Sequence, residues 1–162
     1  MKRFALTMFA LMSVAAAAAD GPKGDASGIA LPASPRAENL IEFYVSAATR
    51  NHFFIDSLSL SVGADGVVRY VLVVKTAGGA TNTSFEGIRC STGEYRLYAT
   101  GRGDGSWTRA QLSAWRPIEN QSANGDHAAL SRDYFCPDGF PVADAAAGRA
   151  ALHTGGSAGG TE

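Results

Sequence analysis

The chain has 162 residues, 14 of them Lys or Arg and 15 Asp or Glu. Once a basic leader is set aside the remainder is mildly acidic, which argues against the broad phosphate neutralisation that non-specific DNA or RNA binding requires. The length beyond that leader suits one domain with one real core.

The leader, M-K-R-F-A-L-T-M-F-A-L-M-S-V-A-A-A-A-A-D, places Lys2 and Arg3 before an apolar run and small residues up to Ala19. This is the pattern of a secretory signal peptide over residues 1–19, with cleavage before Asp20. Its apolar stretch falls short of the roughly 20 residues a spanning helix needs, and no other long apolar segment follows, so no integral span is expected after cleavage. Cys90 and Cys136 are the two cysteines, and export would send them to an oxidising compartment. A single disulfide between them is the expectation; the C-x-x-C spacing of zinc or redox sites is missing.

Residues 20–35 are rich in Gly, Pro, Ala and Ser and read as a flexible leader, ahead of a domain at 36–153 and a disordered tail at 154–162. The first strand is expected at Leu40 to Val45. Phe53 to Val62 reads as a second, broken near Asp56, with Leu58, Leu60 and Val62 on its apolar face. After the turn Gly63 to Gly66, Val67 to Thr76 is the most apolar strand and belongs in the centre of the sheet, with its second face partly covered.

Ser84 to Thr100 reads as a hairpin with its loop at Ser91 to Glu94. A four-residue loop there sets Cys90 opposite Tyr95, Arg89 opposite Arg96 and Ile88 opposite Leu97, so that Ile88, Cys90, Tyr95, Leu97 and Ala99 share the core face. A turn at 101–106 leads to a strand or two between Trp107 and Ile118, where Pro117 suggests an edge. Asp126 is a good N-cap for a short helix from His127 to Phe135, which Pro137 ends, and Val142 to His153 reads as a second, Ala-rich helix. The fold class is therefore α+β: one antiparallel meander sheet of five to seven strands, with one or two short C-terminal helices tethered to it by the disulfide.

The segments F-F-I-D-S-L-S-L-S-V-G-A-D-G-V-V-R-Y-V-L-V-V, S-F-E-G-I-R-C, E-Y-R-L-Y-A-T-G-R-G-D-G-S-W, W-R-P-I and H-A-A-L-S-R-D-Y-F-C-P, in this order, resemble the CNP-one-like family of uncharacterised proteobacterial exported proteins. The likeness covers about residues 35 to 152 and implies export and fold rather than chemistry. More distantly, the layout resembles the surface-adhesin protein E family, in which a disulfide tethers a C-terminal helix to the concave side of an antiparallel sheet.

Few residues suggest a site. Arg89 and Arg96, opposite each other in the chosen register, call for something anionic between them or for stacking over Tyr98 or a tryptophan. Their guanidinium forks would suit a carboxylate, sulfate or lipid phosphate. Trp107 and Trp115, with Tyr95 and Tyr98, form either an aromatic binding platform or ordinary packing. His52 with Asp56, and His127 with Asp126 and Asp133, lack metal-ligand spacing, and His127 reads as a solvated helix-start residue. Arg102-Gly103-Asp104 is turn chemistry rather than an adhesion motif. The sequence thus favours a non-enzymatic periplasmic binding or structural module without cofactor or metal. Its partner would be an envelope protein or an anionic envelope component. A surface adhesin is the alternative, and a hydrolase the more remote one.

Overall fold

The computed structural model describes residues 28–119 and 125–156; the expected signal peptide, residues 20–27 of the leader, loop residues 120–124 and the tail from 157 lie outside the described residues. The strands are β1 (Leu40–Phe43), β2 (His52–Asp56), β3 (Ser61–Val62), β4 (Val67–Lys75), β5 (Thr81–Arg89), β6 (Glu94–Gly101), β7 (Trp107–Arg109) and β8 (Arg116–Pro117). All pair antiparallel, in the order β1-β2-β4-β5-β6-β7, with β3 alongside β4 and β8 alongside β6. Six strands thus make a continuous meander, and the two-residue strands β3 and β8 extend it at the margins. The fold is α+β, as the sequence suggested.

Strand β4 is central because both of its faces are apolar, and every residue from Val67 to Val73 except Arg69 is buried. The second expected strand breaks after Asp56, and its two pieces flank different halves of β4: Phe53 pairs with Val74, while Ser61 pairs with Arg69. Ser59 sits in the break and caps it, its hydroxyl donating to Asp56 O at 2.7 Å and accepting from Val71 N at 2.8 Å. The break also corrects the expected alternation. Leu58 is 77% exposed on the turn, whereas Leu60 is buried.

The β5–β6 hairpin differs from the expected register. Its loop has the expected length but ends one residue earlier, so Arg89 faces Glu94, Gly87 faces Arg96 and Ile88 faces Tyr95. Gly93 explains the slip: it takes the left-handed conformation (φ 62°), and its N–H donates to Cys90 O. Opposite charges then meet across the strands, where the earlier register put two guanidinium groups. A bulge further along passes over Tyr98 and pairs Phe85 with Ala99, which moves Ala99 away from the face of Ile88 and Cys90.

The first face is covered by helices. Helix α1 (Asp126–Ala129) runs straight into a π-helical segment, Leu130–Phe135, and α2 spans Ala145–Thr154. Leu130, Tyr134 and Phe135 pack with Phe43, Phe53, Ile55, Tyr70 and Ile88 in one buried cluster. Asp126 is the first residue of α1 rather than its cap; Gly125 occupies the cap position without a side-chain bond. Helix α2 is conventionally closed: the Asp144 carboxylate accepts from Ala147 N at 2.8 Å, and Gly155 ends the helix at φ 81°. An added Cβ on Gly148 would come within 2.8 Å of Leu60 Cδ2, so the glycine lets α2 press close to the sheet margin.

The disulfide joins Cys90, just past β5, to Cys136 at the end of the π-helical segment, with Cα atoms 5.4 Å apart. The second face carries Val71, Val73, Phe85, Tyr98 and Ala99, and part of the expected flexible leader lies on it. Ile29 and Leu31 pack there, Trp107 Nε1 donates to Pro32 O at 2.9 Å, and Arg109 Nη2 donates to Ile29 O at 3.0 Å. Apolar burial and two side-chain bonds hold the segment in place, so its Gly- and Pro-rich composition does not leave it loose. Among the described residues no helix is long and apolar enough to cross a membrane.

The bridge closes a loop between cysteines 46 residues apart. Replacing both cysteines with alanine is expected to lower the unfolding free energy by about 4 kcal/mol on the chain-entropy model, read as a lower urea midpoint. An unchanged midpoint would show that the helical layer holds to the sheet without the bridge.

Candidate functional site

Of the Arg and aromatic residues singled out in the sequence, Arg89, Arg96, Tyr98 and Trp115 lie together as a stack, whereas Trp107 and Tyr95 do not join it. Arg89 Cζ lies 3.9 Å from the Trp115 ring centroid, and Arg96 Cζ lies 5.7 Å from Trp115 and 5.6 Å from Tyr98. Arg69 continues the series, its Cζ 5.9 Å from the Tyr98 ring centroid, and is itself paired with Asp65. Antiparallel pairing makes this possible, because Arg69, Gly87 and Arg96 sit in register across three strands. Gly87 leaves room between its neighbours: a Cβ there would fall 2.8 Å from Tyr98 Oη and 2.9 Å from Val67 Cγ1.

Most of the stack is internally satisfied. Arg96 is 8% exposed and donates from Nε to Ser113 Oγ at 2.9 Å, and that hydroxyl donates to Leu97 O at 2.6 Å. Tyr98 is buried, and burial raises its phenol pKa. The hydrogen bond from Arg69 holds the Asp65 carboxyl below its ordinary value. Arg89 reaches Glu94 at 3.4 Å, and Arg89 and Trp115 are the partly exposed end of the series. Trp107 lies apart from it, against Phe85 and Pro32.

A second cluster lies on the helix-covered face. Glu86 of β5 is buried, and three side chains converge on its carboxylate: Ser84 Oγ donates to Oε1 at 2.6 Å, Tyr70 Oη donates to Oε2 at 3.3 Å, and His127 Nε2 lies 2.7 Å from Oε2. The other ring nitrogen of His127 is 4.0 Å from Asp126 Oδ1, and Tyr95 stacks on the imidazole with centroids 3.8 Å apart. His127 is therefore a half-buried tie between helix and sheet, which corrects the expectation of a solvated residue. A groove of about 470 Å³ opens beside it, lined by Tyr95, Arg116, Ile118 and Ala128 among others.

The electrostatics of this cluster are coupled. Burial disfavours a charged His127, but the hydrogen bond and charge of Glu86 and the charge of Asp126 outweigh it, and the imidazole pKa is raised. Burial, then the charge of Glu86, raises Asp126. Tyr70 is pushed well up, by full burial first and by Glu86 second. Among the described residues no group of three His, Cys, Asp or Glu could hold a metal ion. His52 pairs with Glu42 at 2.6 Å, both side chains exposed. Asp104 bonds to Ser106 within its own turn, and Arg102 to Thr108 of β7.

Comparison with known proteins places the chain. The profile of the CNP1-like family matches residues 20–153. The chain belongs to the CNP1-like family. The resemblance read from the ordered motifs agrees with this, and the matched span takes in the N-terminal segment that packs on the second face. Cryptic neisserial protein 1 of Neisseria gonorrhoeae (strain ATCC 700825 / FA 1090) is 27% identical over 100 residues, covering 54% of this chain and 49% of that protein. The chain thus spans about half the length of the curated relative it matches. No solved structure matches it.

The Glu86 cluster escaped the sequence reading, although a signal was present. In F-E-G-I-R-C the alternation that buries Ile88 and Cys90 also buries Glu86, and a buried carboxylate requires donors. Two outcomes follow. The His127 imidazole is expected to titrate above the ordinary value of 6.5, and Glu86→Gln should bring its midpoint down, both read by NMR of the ring protons. On the other face, Trp115→Ala should lower the unfolding free energy by about 2 kcal/mol, since it removes the indole that packs against both Arg89 and the buried Arg96, whereas Arg89→Ala at the exposed end should cost under about 1 kcal/mol.

Proposed function

We propose that this chain is a non-catalytic exported module of the cell envelope, which resides in the periplasm and binds another envelope component, a protein or an anionic constituent, without a cofactor. The observation that carries this reading is the Cys90–Cys136 bridge, which takes in both cysteines of the chain. Such a bridge persists in an oxidising compartment and is uncommon in a reducing cytosol. The Lys2-Arg3 leader with its apolar run and Ala17-Ala18-Ala19 end supports the same assignment.

A binding role rather than catalysis is supported by how the reactive groups are engaged. Both thiols are in the bridge, and His127 lies between two carboxylates rather than against a nucleophile. The partner surface in this reading is the Arg89 and Trp115 end of the stack, where a guanidinium lies over an indole and both remain partly exposed. Guanidinium and indole groups held in a fixed arrangement contribute more per residue to an interface than mobile side chains do.

Cell fractionation tests the compartment. The protein is expected in the osmotic-shock fluid, with thiols that resist alkylation until reduced, and it should survive protease treatment of intact cells. Recovery from the cytosol with both thiols free would overturn the proposal, and digestion on intact cells would favour surface display. For the binding role, retention on immobilised anionic envelope polymer at low salt should fall in Arg89→Ala/Trp115→Ala and persist in wild type.

A further inference from the structure

The helical segment 126–135 is fastened to one strand at both of its ends. Its last residue precedes Cys136, which bonds covalently to Cys90 just past β5; its second residue, His127, meets Glu86 within β5. Glu86, Ile88 and Cys90 alternate onto the same face, so the two fastenings stand on one side of one strand. One is permanent in oxidising conditions. The other depends on a proton. We infer that His127 and Glu86 form a pH-sensitive clasp, which holds the first turn of α1 against β5 while the imidazole is protonated and slackens when the proton leaves.

Three features of the structure support this device. The contact is short, at 2.7 Å, and mostly enclosed, with side-chain exposures of 21% for His127 and 8% for Glu86. The charges on the ring come from Glu86 of β5 and Asp126 of α1 itself; Tyr95 of β6 stacks on it, and Tyr70 of β4 and Ser84 of β5 bond to the Glu86 carboxylate. Arg116 and Glu119 line the adjoining groove and bring opposite charges. Acidic groups dominate the immediate contacts, and they favour the imidazolium.

The segment is α-helical over only four residues, Asp126–Ala129, at the end that carries His127. Its later half is π-helical, with Cys136 N donating to Ser131 O, and such turns are found mostly as short irregular stretches. With its far end bonded to Cys90, the segment can loosen only at the end that carries His127. Loosening there would uncover Glu86 and Ser84 and widen the groove between Tyr95 and Ala128.

The sign follows from linkage. A histidine whose folded pKa is raised contributes stabilisation that is complete below the unfolded value of 6.5 and is lost as pH rises through the folded value. Asp126, also raised, acts in the same direction at lower pH. The clasp is therefore closed in mild acid and opens toward alkaline pH.

The test uses the full mature chain with its bridge intact. Amide exchange of Ala128, Ala129 and Leu130 is followed by NMR across the histidine range, corrected for intrinsic exchange, with Val71 and Ile88 as core references. Protection of the first-turn amides should fall by several-fold as pH rises, with the midpoint of the His127 ring protons, while the core amides hold. His127→Gln, which keeps a donor for Glu86 but does not titrate, should flatten that dependence. If His127→Gln does not fold, the wild-type comparison decides alone. First-turn amides that ignore the imidazole titration, or that change only together with Val71 and Ile88, would overturn the inference.

Discussion

The structure depends on the need to cover a sheet that is apolar on both faces. A single layer of strands with Val68, Tyr70 and Leu72 on one side and Val71 and Val73 on the other cannot stand in water. The two sides are covered by different means. The helical segment closes the first, held to β5 by the Cys90–Cys136 bond, and an extended N-terminal stretch closes the second. Of the two, the bond is the stronger constraint, because the helical cover includes a π-helical half and an α1 of four residues, neither of which would persist alone.

Much of this was legible because it rests on periodicity and on counting. The apolar run at Val67 to Thr76 had to be central, the turn at Gly63 to Gly66 had to reverse the chain, and a lone pair of cysteines behind an expected export signal was expected to join. Where the reading failed, the cause was local backbone geometry that no side-chain pattern encodes. Gly93 at positive φ moved the hairpin loop by one residue, and a bulge at Tyr98 turned Ala99 to the other side. Composition also misled: residues 28–35 look like a linker, but Ile29 and Leu31 supply enough apolar surface to dock.

The site was harder to read for a different reason. Of Arg89, Arg96, Tyr98, Trp107 and Trp115, alternation and hairpin pairing bring all but Trp107 into one stack, but that stack closes mostly on itself. The Glu86 and His127 pair joins positions 41 residues apart, and only the docking of α1 brings them into contact. A buried acid in a strand announces a need for partners without saying where in the chain they lie.

The extended stretch on the second face has a further consequence. Pro32 and Ile29 bond to Trp107 and Arg109, residues 75 and 80 positions later. The earliest part of the domain to leave the ribosome is thus among the last to find its place, because its dock is not made until the sheet is almost finished. Contacts of such long range slow folding and leave Val71 and Phe85 uncovered in the meantime. A nascent chain in this state presents a sticky surface that a holding chaperone would recognise.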